Sequence, residues 1–490
     1  MDRRKLARRK FLQLSAAASF AALPFTRAFA DTAAPDVHLT LRPDRLGNKI
    51  AADFTGLSYE SAQLGNPQFF AGDNTALVGF VRRLGASGVL RIGGNTSAYC
   101  YWTADPSQKP SAQPSIVGPD KGLKAPPPAY IGPQAIRNLK DFLDATGWNL
   151  IYGLNMGTGS PEDAAAEAAF VMDTAGSQLL AFQLCNEPDL FFKNGVRKSD
   201  YDFAQFAKEW QRYFEAIRAR VPKALFAGPD TAYNNEWLVP FAQKFKDQVR
   251  FLSQHYYAEG PPTDPSMTIE RLLRPNPKLE EEFAGMRKTM RETNLPFRLA
   301  ETNSCYSGGK PGVSDTFASA LWAADLMYQL ASEGGIGINF HGGGYGWYTP
   351  IAGTRDAGFL ARPIFYGMLL FAQTGPGQLI EAKLGGNAQV PPLTAYALRA
   401  DAGVFKVALF NKNMDRSVRL TLAGAPTQQA SLLWLRAPRV DDATDVTFGG
   451  APVGANGAWS AAIEETLSAK NGSLTIDLPA ASAALITFAG

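Results

Sequence analysis

The chain has 490 residues, of which 46% are hydrophobic and 19% charged, and a formal net charge of +3. That length allows more than one domain, and the composition excludes a disordered or fibrous chain. Residues 1–30 hold seven Lys/Arg and one acid, so removing them turns +3 into −3 and leaves no basic run for nucleic acid or an anionic membrane.

At the N-terminus, Arg8-Arg9-Lys10-Phe11-Leu12 precedes an apolar run at 14–23. Ala28-Phe29-Ala30 follows with the small-x-small pattern read by a signal peptidase. The run is too short to span a bilayer, which takes about 20 residues. Residues 1–30 are therefore expected to be a twin-arginine export signal of bacterial type, with Asp31 the first mature residue. The product is periplasmic or secreted on this reading, with no membrane insertion once the signal is removed. Residues 31–50 contain an alternating stretch at 37–41, expected to lend a strand to a C-terminal β-domain.

From 51 to 373 short apolar runs alternate with helical patterns. The runs at 54–59, 89–93, 149–155, 179–185, 224–228, 251–257, 297–301 and 336–341 read as eight buried parallel strands. Helical stretches lie between them, as at 74–84, 136–145, 199–220 and 317–331. The clearest helix start is Ser160-Pro161-Glu162-Asp163, with a capping Ser, a Pro in the first turn and acids at the positive end. Eight such units predict an α/β fold, a (β/α)8 TIM barrel, with a doubly wound open sheet as the alternative. Residues 106–133 form a long connection with eight prolines, placed by the barrel at the catalytic face as either a cleft wall or a rigid excursion. Beyond 374 short alternating runs separated by turn residues, such as Gly385-Gly386-Asn387, predict an accessory all-β sandwich at 374–490.

Twin-arginine export often serves cofactor-loaded redox proteins. Cys100, Cys185 and Cys305 show no cluster spacing and allow at most one disulfide, and His38, His255 and His341 fit no ligand pattern. No G-x-G-x-x-G joins a strand to a helix, so no cofactor and no metal are expected. Nothing in the sequence indicates an oligomeric state.

The fourth predicted strand ends in Asn186-Glu187-Pro188 and the seventh in Glu301-Thr302-Asn303. Strands four and seven of a barrel face one another across its mouth, where barrel chemistry takes place. Cleaving a glycosidic bond needs an acid to protonate the leaving oxygen and, in retaining enzymes, a carboxylate to capture the anomeric carbon. Glu187 and Glu301 in those places predict that pair. Either glutamate alone reads equally well as a structural carboxylate.

The stretch Glu301-Thr302-Asn303-Ser304-Cys305-Tyr306-Ser307-Gly308-Gly309-Lys310-Pro311, continuing Ser314-Asp315-Thr316-Phe317-Ala318, resembles the nucleophile region of glycoside hydrolase family 79. That family contains heparanase and β-glucuronidases. Arg91-Ile92-Gly93-Gly94-Asn95, His255-Tyr256-Tyr257 and Gly344-Tyr345-Gly346-Trp347-Tyr348 are similar to its second, sixth and eighth strand rims. The resemblance implies a retaining β-D-glucuronidase with Glu187 as general acid/base and Glu301 as nucleophile. It further implies that Asn186 bonds the sugar 2-hydroxyl and that Tyr257 orients Glu301. Tyr306, the amides near Gly308 and Gly309, and Tyr348 would hold the uronate, while Glu60 and Asn95 would address ring hydroxyls. The expected partner is thus a β-glucuronide glycan or glycoconjugate. The chain departs from heparanase at Ser307 and Asn95 and lacks a basic patch for long sulfated chains, which points to exo action. Alternatives are an endo-β-glucuronidase, a clan relative taking a neutral sugar, and a catalytically dead carbohydrate-binding barrel. His255 and His341 read as buried, hydrogen-bonded rim histidines.

Overall fold

Apolar runs without alternation suit strands covered on both faces, and the eight between residues 54 and 341 become such strands. The computed structural model describes residues 36–105, 107, 128–232, 234–386, 393–401 and 403–488. After the first strand, β1 (Asp36–Ile50), come β2 (Thr55–Glu60), β3 (Val89–Gly93), β4 (Asn149–Gly153) and β5 (Leu179–Gln183). They continue with β6 (Phe226–Thr231), β7 (Phe251–Glu259), β8 (Phe297–Cys305) and β9 (Gly337–Gly342). Strands β2 to β9 pair in chain order, all parallel, and β9 closes on β2. This is the (β/α)8 barrel, and the open-sheet alternative falls away.

Helices α1 (Thr75–Arg83), α2 (Pro133–Thr146), α3 (Pro161–Ala175), α4 (Phe203–Arg220) and α5 (Asn235–Phe245) cover the strands. The ring continues with α6 (Ile269–Leu273), α7 (Pro277–Thr293), α8 (Phe317–Ser332) and α9 (Pro363–Thr374). α3 begins as its sequence dictates: Ser160 accepts from the Asp163 N–H, and Pro161 opens the first turn.

Inside the barrel, Val89, Ile151, Ala181, Ala227 and Phe251 form an apolar plug near the strand starts. Two residues further along their strands, Arg91, Gln183 and Ser253 also point inward, because strand side chains repeat with period two. Register shifts reset that parity in three strands: between Leu179 and Ala181 in β5, between Pro229 and Thr231 in β6 and between Leu299 and Glu301 in β8. Bulges re-aim side chains near active sites, and here they turn Glu301 and Asp230 toward the axis.

The C-terminal region forms β10 (Gly377–Gly386), β11 (Leu393–Ala400), β12 (Phe405–Asn411), β13 (Val418–Ala423) and β14 (Gln429–Arg436). It ends with β15 (Thr447–Phe448), β16 (Glu465–Ser468), β17 (Ser473–Leu478) and β18 (Ser482–Phe488). These strands and β1 make one ten-stranded sheet in the order β15-β14-β18-β12-β11-β10-β1-β13-β17, with β16 on β14. The sheet is continuous but curls on itself. Leu39, Leu420 and Ile476 from one half therefore share a core with Leu409, Leu432 and Ile486 from the other. The short strands β15 and β16 carry too few alternating residues to be read from sequence.

The export signal at 1–30 and most of the proline-rich connection, 106 and 108–127, lie outside the described residues. The ends of that connection, Cys100–Trp102 and Ala129–Ile131, pair in parallel. All three cysteines are buried and unpaired. Among the described residues no helix is long and apolar enough to cross a membrane.

Candidate active site

The C-terminal ends of the barrel strands open into a cavity of about 510 Å³. Glu187, Glu301, Glu60, Asn95, Tyr257, Tyr306, Gly308 and Tyr348 all line it, together with His341 and Lys193. Asn186 and Gly309 are not part of that lining. Asn186 is buried one layer deeper, where its amide donates to Asn95 Oδ1 (3.1 Å) and its Oδ1 accepts from Arg91 (2.8 Å). Gly309, at φ 88°, packs so closely that a Cβ would lie 2.7 Å from the Tyr348 nitrogen. Only glycine fits that turn.

Glu187 follows β5 in the left-handed region, at φ 48°, an uncommon conformation for a non-glycine residue. Its N–H is fixed by the Asp230 carbonyl at 2.8 Å. Its carboxylate meets His255 Nδ1 at 3.0 Å. Glu301, turned inward by the bulge in β8, accepts from Tyr257 OH at 2.7 Å and from Arg91 Nη1 at 2.5 Å. Carboxylate oxygens of Glu187 and Glu301 and a ring nitrogen of His255 all lie within 4.8 Å of one another. Such a set has metal-ligand spacing, but Arg91 already supplies positive charge there and both His255 nitrogens face carboxylates.

Arg91 organises the layer beneath. Its guanidinium reaches Glu301, Asp230 (2.6 Å), Asn186, Gln183 (2.8 Å) and Ser58 (3.0 Å) while fully buried. His255 is likewise fully buried, with Nε2 3.2 Å from Asp230. His341 lies 3.5 Å from both Glu301 and Glu60. Glu60 accepts from the Thr96 N–H (2.8 Å) and hydroxyl (2.5 Å), its carboxyl lying over Gly94, where a Cβ would come within 2.5 Å of it.

The electrostatics follow from this packing. Burial would raise the Glu301 carboxyl, but His341, His255 and Arg91, helped by the Tyr257 bond, hold it well below the usual carboxylate range. Burial opposes a charged His255, yet Asp230 and Glu301 outweigh it and push the imidazole up to about 10. Burial also works against the Asp230 carboxylate, and Arg91 and His255 bring it below its ordinary value. One carboxylate thus stays ionised with a second carboxyl oxygen within 4.8 Å across the same cavity. That spacing suits double displacement, for which the groups stand about 5–5.5 Å apart, rather than inversion, which needs about 6.5–9.5 Å.

Sequence reading missed Arg91 and Asp230 as members of the site. The available signal for Arg91 was a lone charge inside the apolar run Val89-Leu90-Arg91-Ile92, which must find a buried partner. Asp230 was marked only indirectly, by Gly228-Pro229 ahead of it, since its inward aim depends on a bulge.

Comparison with known proteins gives two matching family models. Residues 131–328 match the N-terminal domain of glycosyl hydrolase family 79, and residues 395–485 match that family's C-terminal beta domain. A beta-glucuronidase of Neurospora crassa is 25% identical over 400 residues, covering 71% of this chain and 69% of the relative. The heparanase of Bos taurus is 25% identical over 413 residues, covering 73% and 72%. Among solved structures, a 4-O-α-L-rhamnosyl-β-D-glucuronidase from Fusarium oxysporum superposes with a TM-score of 0.71 at 18% identity, covering 92% of this chain and 100% of that one. A family 51 arabinofuranosidase from Xanthomonas axonopodis pv. citri gives 0.69 at 17%, covering 93% and 100%. At these identities the two structures share the fold.

Proposed function

The chain belongs to glycoside hydrolase family 79 and is a glycoside hydrolase, and on that premise we propose that it is a retaining, exo-acting β-D-glucuronidase. The observation that carries the reading is the pair of Glu187 and Glu301 oxygens within 4.8 Å at one cavity. Glu187 donates its proton to the glycosidic oxygen as the bond to C1 breaks, and Glu301 forms the C1–O ester. Water, deprotonated by Glu187, then hydrolyses that ester with net retention. Arg91 and Tyr257 keep Glu301 ionised and fixed in aim.

The glucuronide assignment draws on the beta-glucuronidases to which the chain is similar and on the wall formed by Tyr306, Gly308 and Tyr348. Hydroxyl and amide donors bind a carboxylate by charge-assisted bonds without needing arginine. Asn95 and Glu60 on the cavity wall would address ring hydroxyls, with Asn186 bonded to Asn95 from the layer beneath. Export by the twin-arginine route belongs to the same proposal, and a mature N-terminus other than Asp31 would count against it.

A panel of aryl β-glycosides differing only at C6 tests the substrate. Turnover of the glucuronide and not the glucoside is expected, and the reverse preference would refute the uronate wall. Glu301→Ala and Glu187→Ala should each lower kcat by at least about 10³-fold with the fold intact, in line with loss of a nucleophile or acid/base group. Azide should restore turnover in Glu187→Ala.

A further inference from the structure

The two catalytic glutamates share one buried anion. Asp230 Oδ2 receives Arg91 Nη2 at 2.6 Å and faces His255 Nε2 at 3.2 Å. The far side of each cation holds one glutamate, Glu301 on Arg91 and Glu187 on His255. Asp230 Oδ1 is occupied by the Gln183 amide at 2.5 Å. The side chain is 1% exposed and projects from the bulge in β6 at φ 62°, a backbone state that aspartate and asparagine tolerate better than most residues. Its carbonyl also fixes the Glu187 N–H. Such placement is costly unless the charge is matched.

From this geometry we infer that Asp230 is a positioning residue whose negative charge holds Arg91 and His255 as a cation pair, one cation bonded to each catalytic glutamate, so that both carboxyl groups are aimed from one buried point. The inference rests on the roles proposed above for Glu187 and Glu301. As the Glu187 proton passes to the glycosidic oxygen, the C1–O electron pair leaves with the oxygen and Glu301 bonds to C1. Glu301 has then lost its charge and Glu187 has gained one, and the Arg91–Asp230–His255 bridge spans both glutamates throughout. Without Asp230 the bridge is broken, and His255 loses the anion that does most to keep it charged.

Other titratable groups face this cluster. Asp189 and Cys185 flank Glu187, His341 faces Glu301, and Glu282 of α7 lies behind β7. Burial pushes the Asp189 carboxyl up to about 7 and that of Glu282 up to about 8, so neither is a ready replacement for Asp230 in acidic solution.

Asp230→Asn keeps the shape and the permitted backbone, but its amide oxygen carries no charge to hold the two cations and its NH2 meets the donating Gln183 amide. In this variant the ¹⁵N signals of His255 should report a neutral ring at pH 8, and activity is read on whichever aryl glycoside the wild type hydrolyses. On a phenyl leaving group kcat should fall roughly 100-fold, against less than about tenfold on dinitrophenyl, which needs no proton, with KM within about threefold. A His255 still cationic at pH 8 in Asp230→Asn, or equal losses on both leaving groups, overturns the inference. Should the variant not fold, the wild type decides, because ¹⁵N signals from only three histidines need assignment. His255 is expected to be cationic at pH 8, and a neutral His255 at pH 7 overturns the inference. A wrong choice of sugar leaves this test intact, whereas failure of azide rescue in Glu187→Ala strikes the acid/base assignment and not Asp230.

Discussion

Single side chains in this protein act through the company they are given. A buried glutamate is ordinarily harder to ionise, yet Glu301 is held ionised because two histidines, Arg91 and the Tyr257 hydroxyl all favour its charged form. Tyr257→Phe removes a 2.7 Å bond to that carboxylate. A hydrogen bond to a charged group contributes about 1.5–3 kcal/mol, so kcat should fall roughly 10- to 100-fold. The sign for pH follows. Losing a donor to the charged form raises the Glu301 carboxyl toward its ordinary range, so the acidic limb of the kcat/KM profile should move upward in pH. A profile whose acidic limb stays in place would mean that Tyr257 supports packing alone. At this scale the strand ends pointed to Glu187 and Glu301, and the family resemblance to Tyr257. His255 was read as an ordinary buried histidine because its partners, Glu187 and Asp230, are 68 and 25 residues away.

Whole elements obey rules that need little tertiary information. Continuous apolar runs became the barrel strands, and Ser160-Pro161 opened α3 where capping chemistry says it should. Two features of elements were not legible. One is parity: the bulges in β6 and β8 decide which residues face the axis, and although Gly228-Pro229 stands at the first, nothing in Leu299-Ala300-Glu301 marks the second. The other is close approach between helices. Gly367 lies inside α9, where the sequence offers it only as a poor helix former, yet a Cβ there would come 2.1 Å from the Ala320 carbonyl oxygen on α8. Gly367→Ala should therefore destabilise by about 1–3 kcal/mol despite its better helix propensity, because the backbone of α8 must shift. Thermal or urea denaturation reads this directly, and a stabilised variant would show that the two helices separate freely.

At the scale of the molecule, barrel and curled sheet are joined by a polar lock as well as by packing. Asp325 on α8 is buried and accepts from Thr394 Oγ1 and Tyr396 OH, each at 2.7 Å, and pairs with the ammonium of Lys412. All three partners lie in or beside the C-terminal sheet. Asp325→Ala leaves a buried ammonium without its counter-ion, at a cost of about 3–5 kcal/mol. The expected outcome is a lower melting temperature for the chain, with Lys412→Met in the same background recovering part of the loss. No change in melting temperature would remove the lock from the account of domain docking. Local order and periodicity determine strand number, helix starts and the places of Glu187 and Glu301 at two strand ends, because these depend on neighbours within a few residues. The pairing of Asp230 with two cations, the depth of Arg91 and the distance between Glu187 and Glu301 are decided only when the barrel closes, because closure brings residues more than a hundred positions apart into a buried layer where charges must balance.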